Sequence, residues 1–213
     1  MRISNRFEKH IVAAATVAMS AAAANAAVVY SGVVNFACAI DIEGCYINVE
    51  TNTLTNGLGE DAPGWDVNPY RGSIGSGMNF LGSFGGGMVS AATGVGSPGN
   101  LAGGTSIGAS SDYNSSISTA VFGSAAGSWQ YGTNNLVGFR FVAAAGTTHY
   151  GWMRFLMGSQ PAIGNRVTRT VVDFGYESVA GESILAGAGT VPAPSALALL
   201  GIAGLAGARR RRS

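Results

Sequence analysis

The chain has 213 residues, 33 of them glycine, and 12 basic against 11 acidic side chains give a net charge of +1. That length suits one domain with a real core. With the two ends set aside, residues 27–190 keep five arginines, no lysine and ten acidic groups, a net of −5 that argues against nucleic acid or anionic lipid as partners of the body.

Arg2, Arg6 and Lys9 precede an apolar run from Ile11 to Ala24, and Ala24-Asn25-Ala26 is a small-x-small cleavage site. This order predicts a helical secretory signal peptide over 1–26, with export by the general secretion route and a mature chain from Ala27. Residues 28–37 then read as a first strand. Cys38 and Cys45 both fall in the exported part, with six residues between them. An oxidising setting favours a disulfide there. Two free thiols and a metal pair are the alternatives. The second lacks a nearby histidine and a Cys-x-x-Cys spacing.

Residues 45–50 alternate as a strand should. Asp41 and Glu43 would share one face, and Glu60, Asp61 and Asp66 cluster before Pro69. Calcium needs six to eight oxygens, but there is no Asp-x-Asp-x-Asp-Gly loop, so neither metal nor cofactor is expected. Three tryptophans (65, 129 and 152) and three tyrosines (70, 131 and 150) could offer flat rings to sugars. Trp65 sits in a turn-rich Pro-Gly-Trp-Asp and is expected to be the exposed one; Trp65 and Tyr70 are the candidate stacking residues.

Shorter strands are read at 78–81, 87–90, 105–109 and 118–122. Residues 82–116, rich in Gly and Ser, read as irregular loops and edge strands. The clearest unit comes later. Residues 135–143 place Val137, Phe139 and Phe141 on one face, and 149–156 follow after a five-residue connection, which predicts an antiparallel hairpin. Tyr150, Trp152 and Arg154 share one face of its second strand, with Gly151, Met153 and Phe155 on the other. Residues 166–176 supply a third strand rich in β-branched and aromatic side chains. Many short strands with Gly-rich turns predict an all-β fold, an antiparallel jelly-roll-like β-sandwich over 27–190. His149 is the sole histidine beyond the signal peptide. With no nucleophile elbow expected to partner it, it reads as a strand residue and the chain as a non-enzyme.

The C-terminus is different in kind. Val191-Pro192-Ala193-Pro194 is stiff and extended, because proline fixes φ and donates no hydrogen bond. Ser195 can cap the helix that follows. Residues 195–208 carry no charge, and Arg209, Arg210, Arg211 and Arg212 close the run before Ser213. As a helix, 191–208 spans about 27 Å, near the roughly 30 Å of a hydrocarbon core. The arginines stay on the cytoplasmic side by the positive-inside rule, so the body lies outside.

A Pro-x-Pro motif, a short apolar helix and an arginine cluster at the extreme C-terminus resemble the PEP-CTERM sorting signal. Val191, Pro192, Pro194 and Ser195 match its Val-Pro-Glu-Pro-Ser/Thr pattern, and Ala193 stands where that family has glutamate. The resemblance implies an exosortase-type processing enzyme and the membrane as partners of residues 191–213, and an association with exopolysaccharide. The body is also similar to a β-rich domain of PEP-CTERM proteins. This second likeness rests on 44–49, on 63–70, on 149–155 and on the stretch from Asp173-Phe-Gly-Tyr-Glu177 to Ala186-Gly187. It implies fold and location, not chemistry.

The expectation is therefore an exported cell-envelope or matrix protein without catalytic activity. A carbohydrate-binding module, stacking sugar on Trp65 and Tyr70, is the alternative. A polysaccharide hydrolase is the third reading.

Overall fold

The computed structural model describes residues 27–71, 78–90, 96–114, 118–162 and 165–189. The expected signal peptide over 1–26, the expected sorting motif at Val191–Ser195 with the Arg209–Arg212 cluster, and the two expected flanking helices fall on residues outside those described.

The fold is all-β, and its strands pair antiparallel throughout the described residues. The frame is the stretch in which the sequence alternates best. β11 (Asn134–Val142), β12 (Thr148–Met157) and β13 (Arg169–Glu177) form a continuous meander. β1 (Val28–Tyr30) and β2 (Phe36–Cys38) pair on the free side of β13, while β7 (Gly87–Val89) and β9 (Tyr113–Asn114) extend the sheet beyond β11. A second sheet runs in the order β10 (Ser118–Thr119), β6 (Met78–Gly82), β5 (Val67–Arg71), β3 (Tyr46–Asn48), β4 (Thr53–Thr55). β8 (Ser106–Ile107) and β14 (Ile184–Leu185) make a small separate ribbon.

Side-chain alternation decides how these layers meet. Val137, Phe139, Phe141, Met153 and Phe155 point from the first sheet toward Ile47, Val67, Met78 and Phe80 of the second, and all join one buried cluster. The opposite face of the first sheet is apolar too. Tyr150 and Trp152 pack there with Val89, Ile107, Ile184 and Ala186, so the β8–β14 ribbon lies over it. The expected split of β12, with Tyr150 and Trp152 on one face and Met153 and Phe155 on the other, is what the two clusters show. Each large side chain so enclosed is worth about 1.5–3 kcal/mol.

Several expected strands differ. Residues 28–37 do not run unbroken. Tyr30 pairs with Gly175 and Phe36 with Val171, so residues 31–35 make an excursion between β1 and β2 that is two residues longer than the facing 172–174. Gly32 and Asn35 take the positive φ that this needs. Opposite it, β13 has its own bulge at Val172, whose carbonyl accepts the N–H groups of Val34 and Asn35. The strand read at 45–50 shortens to β3, and β4, β5 and β14 are additional.

The two ends of the described body meet at β1. Ala27 donates its N–H to Glu177 Oε1 at 3.0 Å. A Cβ built on Gly189 would stand 2.8 Å from Val28 Cγ1, so that glycine lies flat against β1.

Candidate functional site

Trp65 is half-buried and meets Tyr46 edge-on, with ring centroids 5.3 Å apart. The Tyr46 hydroxyl donates to Glu43 Oε2 at 2.9 Å. Tyr70, also half-buried, sits on β5 opposite Asn79, and no ring contact joins it to Trp65 among the described residues. Trp129 and Trp152 are fully enclosed.

The acidic residues go separate ways. Asp41 accepts the backbone N–H groups of Glu43 and Gly44, and Asp61 accepts that of Leu58. Asp66 is 2% exposed and takes the Val49 N–H at 2.8 Å. Loss of water around it pushes its pKa up to about 7; the Val49 hydrogen bond opposes the rise and nearby Glu50 adds to it. Among the described residues, no three His, Cys, Asp or Glu side chains converge.

His149 has structural partners. Its Nδ1 lies 2.8 Å from the Glu177 carbonyl and so carries the proton, leaving Nε2 to accept from Thr147 Oγ1 at 3.0 Å. The sequence also holds a Gly-x-Ser-x-Gly pentapeptide, 104–108. It makes no elbow. Ser106 lies exposed in β8 opposite Leu185, and its neighbour Ile107 faces the cluster under the ribbon, across the first sheet from His149.

The sulfurs of Cys38 and Cys45 are bonded, with Cα atoms 5.2 Å apart. Gly44 turns this loop at φ +67°, where a Cβ would stand 2.2 Å from the Pro69 carbonyl oxygen. Asn68 fastens it with hydrogen bonds to the carbonyls of Glu43 and Cys45. Beneath lies Arg169, 1% exposed, donating from Nη2 to Ala39 O at 2.6 Å. Its Nε and Nη1 are buried without a partner. Desolvation lowers its pKa to about 10, against the pull of Asp41 and with the help of Arg166.

A described depression lies elsewhere. It is a groove of about 610 Å³ beside the β10 edge, lined by Thr119, Val121, Phe122, Trp129, Gln130, Tyr131 and Gln160 among others. Phe122 lies flat on Tyr131, with centroids 4.2 Å apart and planes 13° apart. Both rings are half-buried, as those of Trp65 and Tyr70 are. Trp129 backs them from the core, tilted against Phe80 and Phe155, with Nε1 donating to Pro98 O at 2.8 Å.

Local chemistry holds this wall. Asn135 is buried at the start of β11. Its Oδ1 accepts Gln130 N–H at 2.7 Å, and its Nδ2 donates to the carbonyls of Gln130 and Thr133. Gln130 Nε2 donates to Gly123 O and Ser128 O. The groove thus offers a stacked aromatic pair, exposed amides on Gln130 and Gln160, and no ionisable acid or base other than the Tyr131 phenol. Such a surface can stack on an apolar sugar face and bond hydroxyls. Tyr131 was legible as a candidate ring; Phe122 was not, being one apolar residue in a short strand pattern.

Among the described residues no helix is long and apolar enough to cross a membrane. No protein family, no curated protein and no solved structure matches this chain.

Proposed function

We propose that this chain is an exported cell-envelope or matrix protein, without catalytic activity, whose body binds glycan through the Phe122–Tyr131 groove. In this reading the two larger sheets are the halves of a jelly-roll-like sandwich. The signal peptide delivers the body across the membrane, and the PEP-CTERM-like tail hands it to an exosortase-type enzyme that leaves it with exopolysaccharide.

The observation that carries the reading is the stacked ring pair flanked by two glutamine amides. A pyranose presents CH groups on one face and hydroxyls around its rim, and this lining supplies a partner for each. The lining has no carboxylate, whereas glycoside hydrolysis ordinarily uses two. Binding is therefore favoured over turnover.

The test is a glycan array of neutral and acidic envelope polysaccharides with the purified protein. Phe122→Ala and Tyr131→Ala should each abolish binding, while Trp65→Ala and Tyr70→Ala should leave it. Absence of binding to every polysaccharide, with unchanged tryptophan fluorescence, would overturn the reading.

A further inference from the structure

The groove has a neighbour on the other side of its own wall. Asn100 donates its N–H to Gly127 O at 2.9 Å and its side-chain amide to Ser128 O at 3.3 Å. Trp129, the next residue, lines the groove and reaches back to Pro98. Asn100 and Leu101 in turn line a second cleft of about 400 Å³, with Asn134, Leu136, Arg154 and Ala186. Two hydrogen-bonded backbone segments, 98–101 and 127–130, thus link the lining of one depression to that of the other. The short Gln130–Asn135 turn, pinned by the Asn135 side chain, runs between the two lined surfaces.

The second cleft is built for polar, uncharged contact. Arg154 Nε stands 3.1 Å from Asp173 Oδ1. That oxygen makes no well-directed hydrogen bond, so the contact is an ion pair of Coulomb type. Asp173 Oδ2 accepts the Tyr30 hydroxyl at 2.8 Å, and the guanidinium lies 5.7 Å from the Trp152 ring centre. The arginine is therefore held in place with its charge cancelled by its neighbour. With Nε given to Asp173, its Nη edge is left for the cleft. Asn134 is exposed at the rim and brings an amide, and Leu101 and Leu136 give apolar walls. Asn100 is held in the wall, its Oδ1 accepting the Leu136 N–H at 3.0 Å and its amide donating to Ser128 O.

We infer that the two clefts are subsites of one surface, and that the ligand is the interior of a neutral polysaccharide chain lying across the shared wall. This rests on the glycan reading of the first groove. Neutrality follows from the charges: the groove carries none, the cleft carries a cancelled pair, and the body at −5 repels a polyanion. A chain contrast follows from geometry. A disaccharide fills one depression, whereas a longer oligomer reaches the second without a new loss of translational freedom, so its affinity rises.

The experiment is calorimetry on the full-length chain with size ladders, from disaccharide to octasaccharide, of neutral β-glucan, α-glucan, mannan and galactan, and a uronate ladder as the charged control. One neutral ladder should bind with affinity that climbs on the order of tenfold or more with length and then levels. Arg154→Met should erase the climb and keep disaccharide binding. Asn134→Trp fills the rim of the cleft without touching the ion pair, and should do the same even if Arg154→Met fails to fold. Phe122→Ala should weaken every length. Affinity independent of length, a climb that survives Asn134→Trp, or uronates bound as tightly as neutral chains would overturn the inference while leaving the first groove as a site. Failure of every ladder to bind would remove the glycan reading itself and this inference with it.

Discussion

The Val49 backbone N–H points at the Asp66 carboxylate from 2.8 Å, in a place solvent barely reaches. One hydrogen bond does not replace the water that the carboxylate loses, and its pKa rises from 3.8 to about 7. Folding therefore takes up a proton here between about pH 4 and pH 7. The stabilisation is whole below about pH 4 and gone above about pH 7, and over that window it amounts to at most about 4 kcal/mol. Asp66→Asn keeps an acceptor for Val49 and carries no charge. Its urea midpoint should exceed that of the parent at pH 8, and the difference should shrink toward pH 4. Parallel stability profiles across that range would show that Asp66 is ionised in the fold.

The disulfide closes a loop of eight residues counted with its cysteines. Loop-closure entropy assigns such a ring about 2.5 kcal/mol. Cys38→Ser with Cys45→Ser should lower stability by roughly that amount in urea titration, and a reducing agent should do the same to the parent. The strands most affected should be β2 and the start of β13, which pair at Cys38 and Arg169. Amide exchange there should accelerate before that of β11 and β12.

Arg169 under the same loop holds a charge with one good hydrogen bond and two unpartnered nitrogens. An enclosed cation so poorly satisfied costs more than it returns. Arg169→Met should leave the fold intact and raise stability on the order of 1 kcal/mol, read as a higher urea midpoint. A loss of 3 kcal/mol or so would mean that the guanidinium has partners in solution that satisfy it.

Asn135 ties the groove wall with three hydrogen bonds from one enclosed side chain. Asn135→Ala leaves those backbone groups unpaired and should cost about 2–3 kcal/mol. Glycan affinity should fall with it, although Asn135 lines neither depression. Unchanged affinity in a folded Asn135→Ala protein would separate the wall from the site.

What could be seen in the sequence was the part in which one physical signal dominates. In β11, Val137, Phe139 and Phe141 alternate with smaller or polar residues over nine positions, and burial follows that period; in β12 the two faces separate as the side chains alternate, but both are covered, so His149 to Met153 are all buried. β5 was hidden by Pro69, which argues against an inner strand. The fold tolerates it because β5 meets β3 at a single register pair, Ile47 with Val67, and spends its main pairing on β6. β1 and β2 looked like one strand because Val28, Tyr30, Val34 and Phe36 keep the period while the backbone leaves the ladder at 31–35. The groove was out of reach for a different reason. Phe122 and Tyr131 lie nine positions apart in turns, and their stacking depends on the parallel bridge between Phe122 and Trp129. Trp65 looked exposed from its turn residues, but Tyr46 comes from another strand to cover one edge.

The meeting of Ala27 and Gly189 at β1 has a mechanical consequence. A load applied through the chain beyond Gly189 enters at the two-residue β14 and the three-residue β1, not at the ends of the nine- and ten-residue strands. Tension therefore unzips short ladders one pair at a time, and the long meander is spared. A body pulled by its tail gives first at the ribbon over Trp152, beside the second cleft.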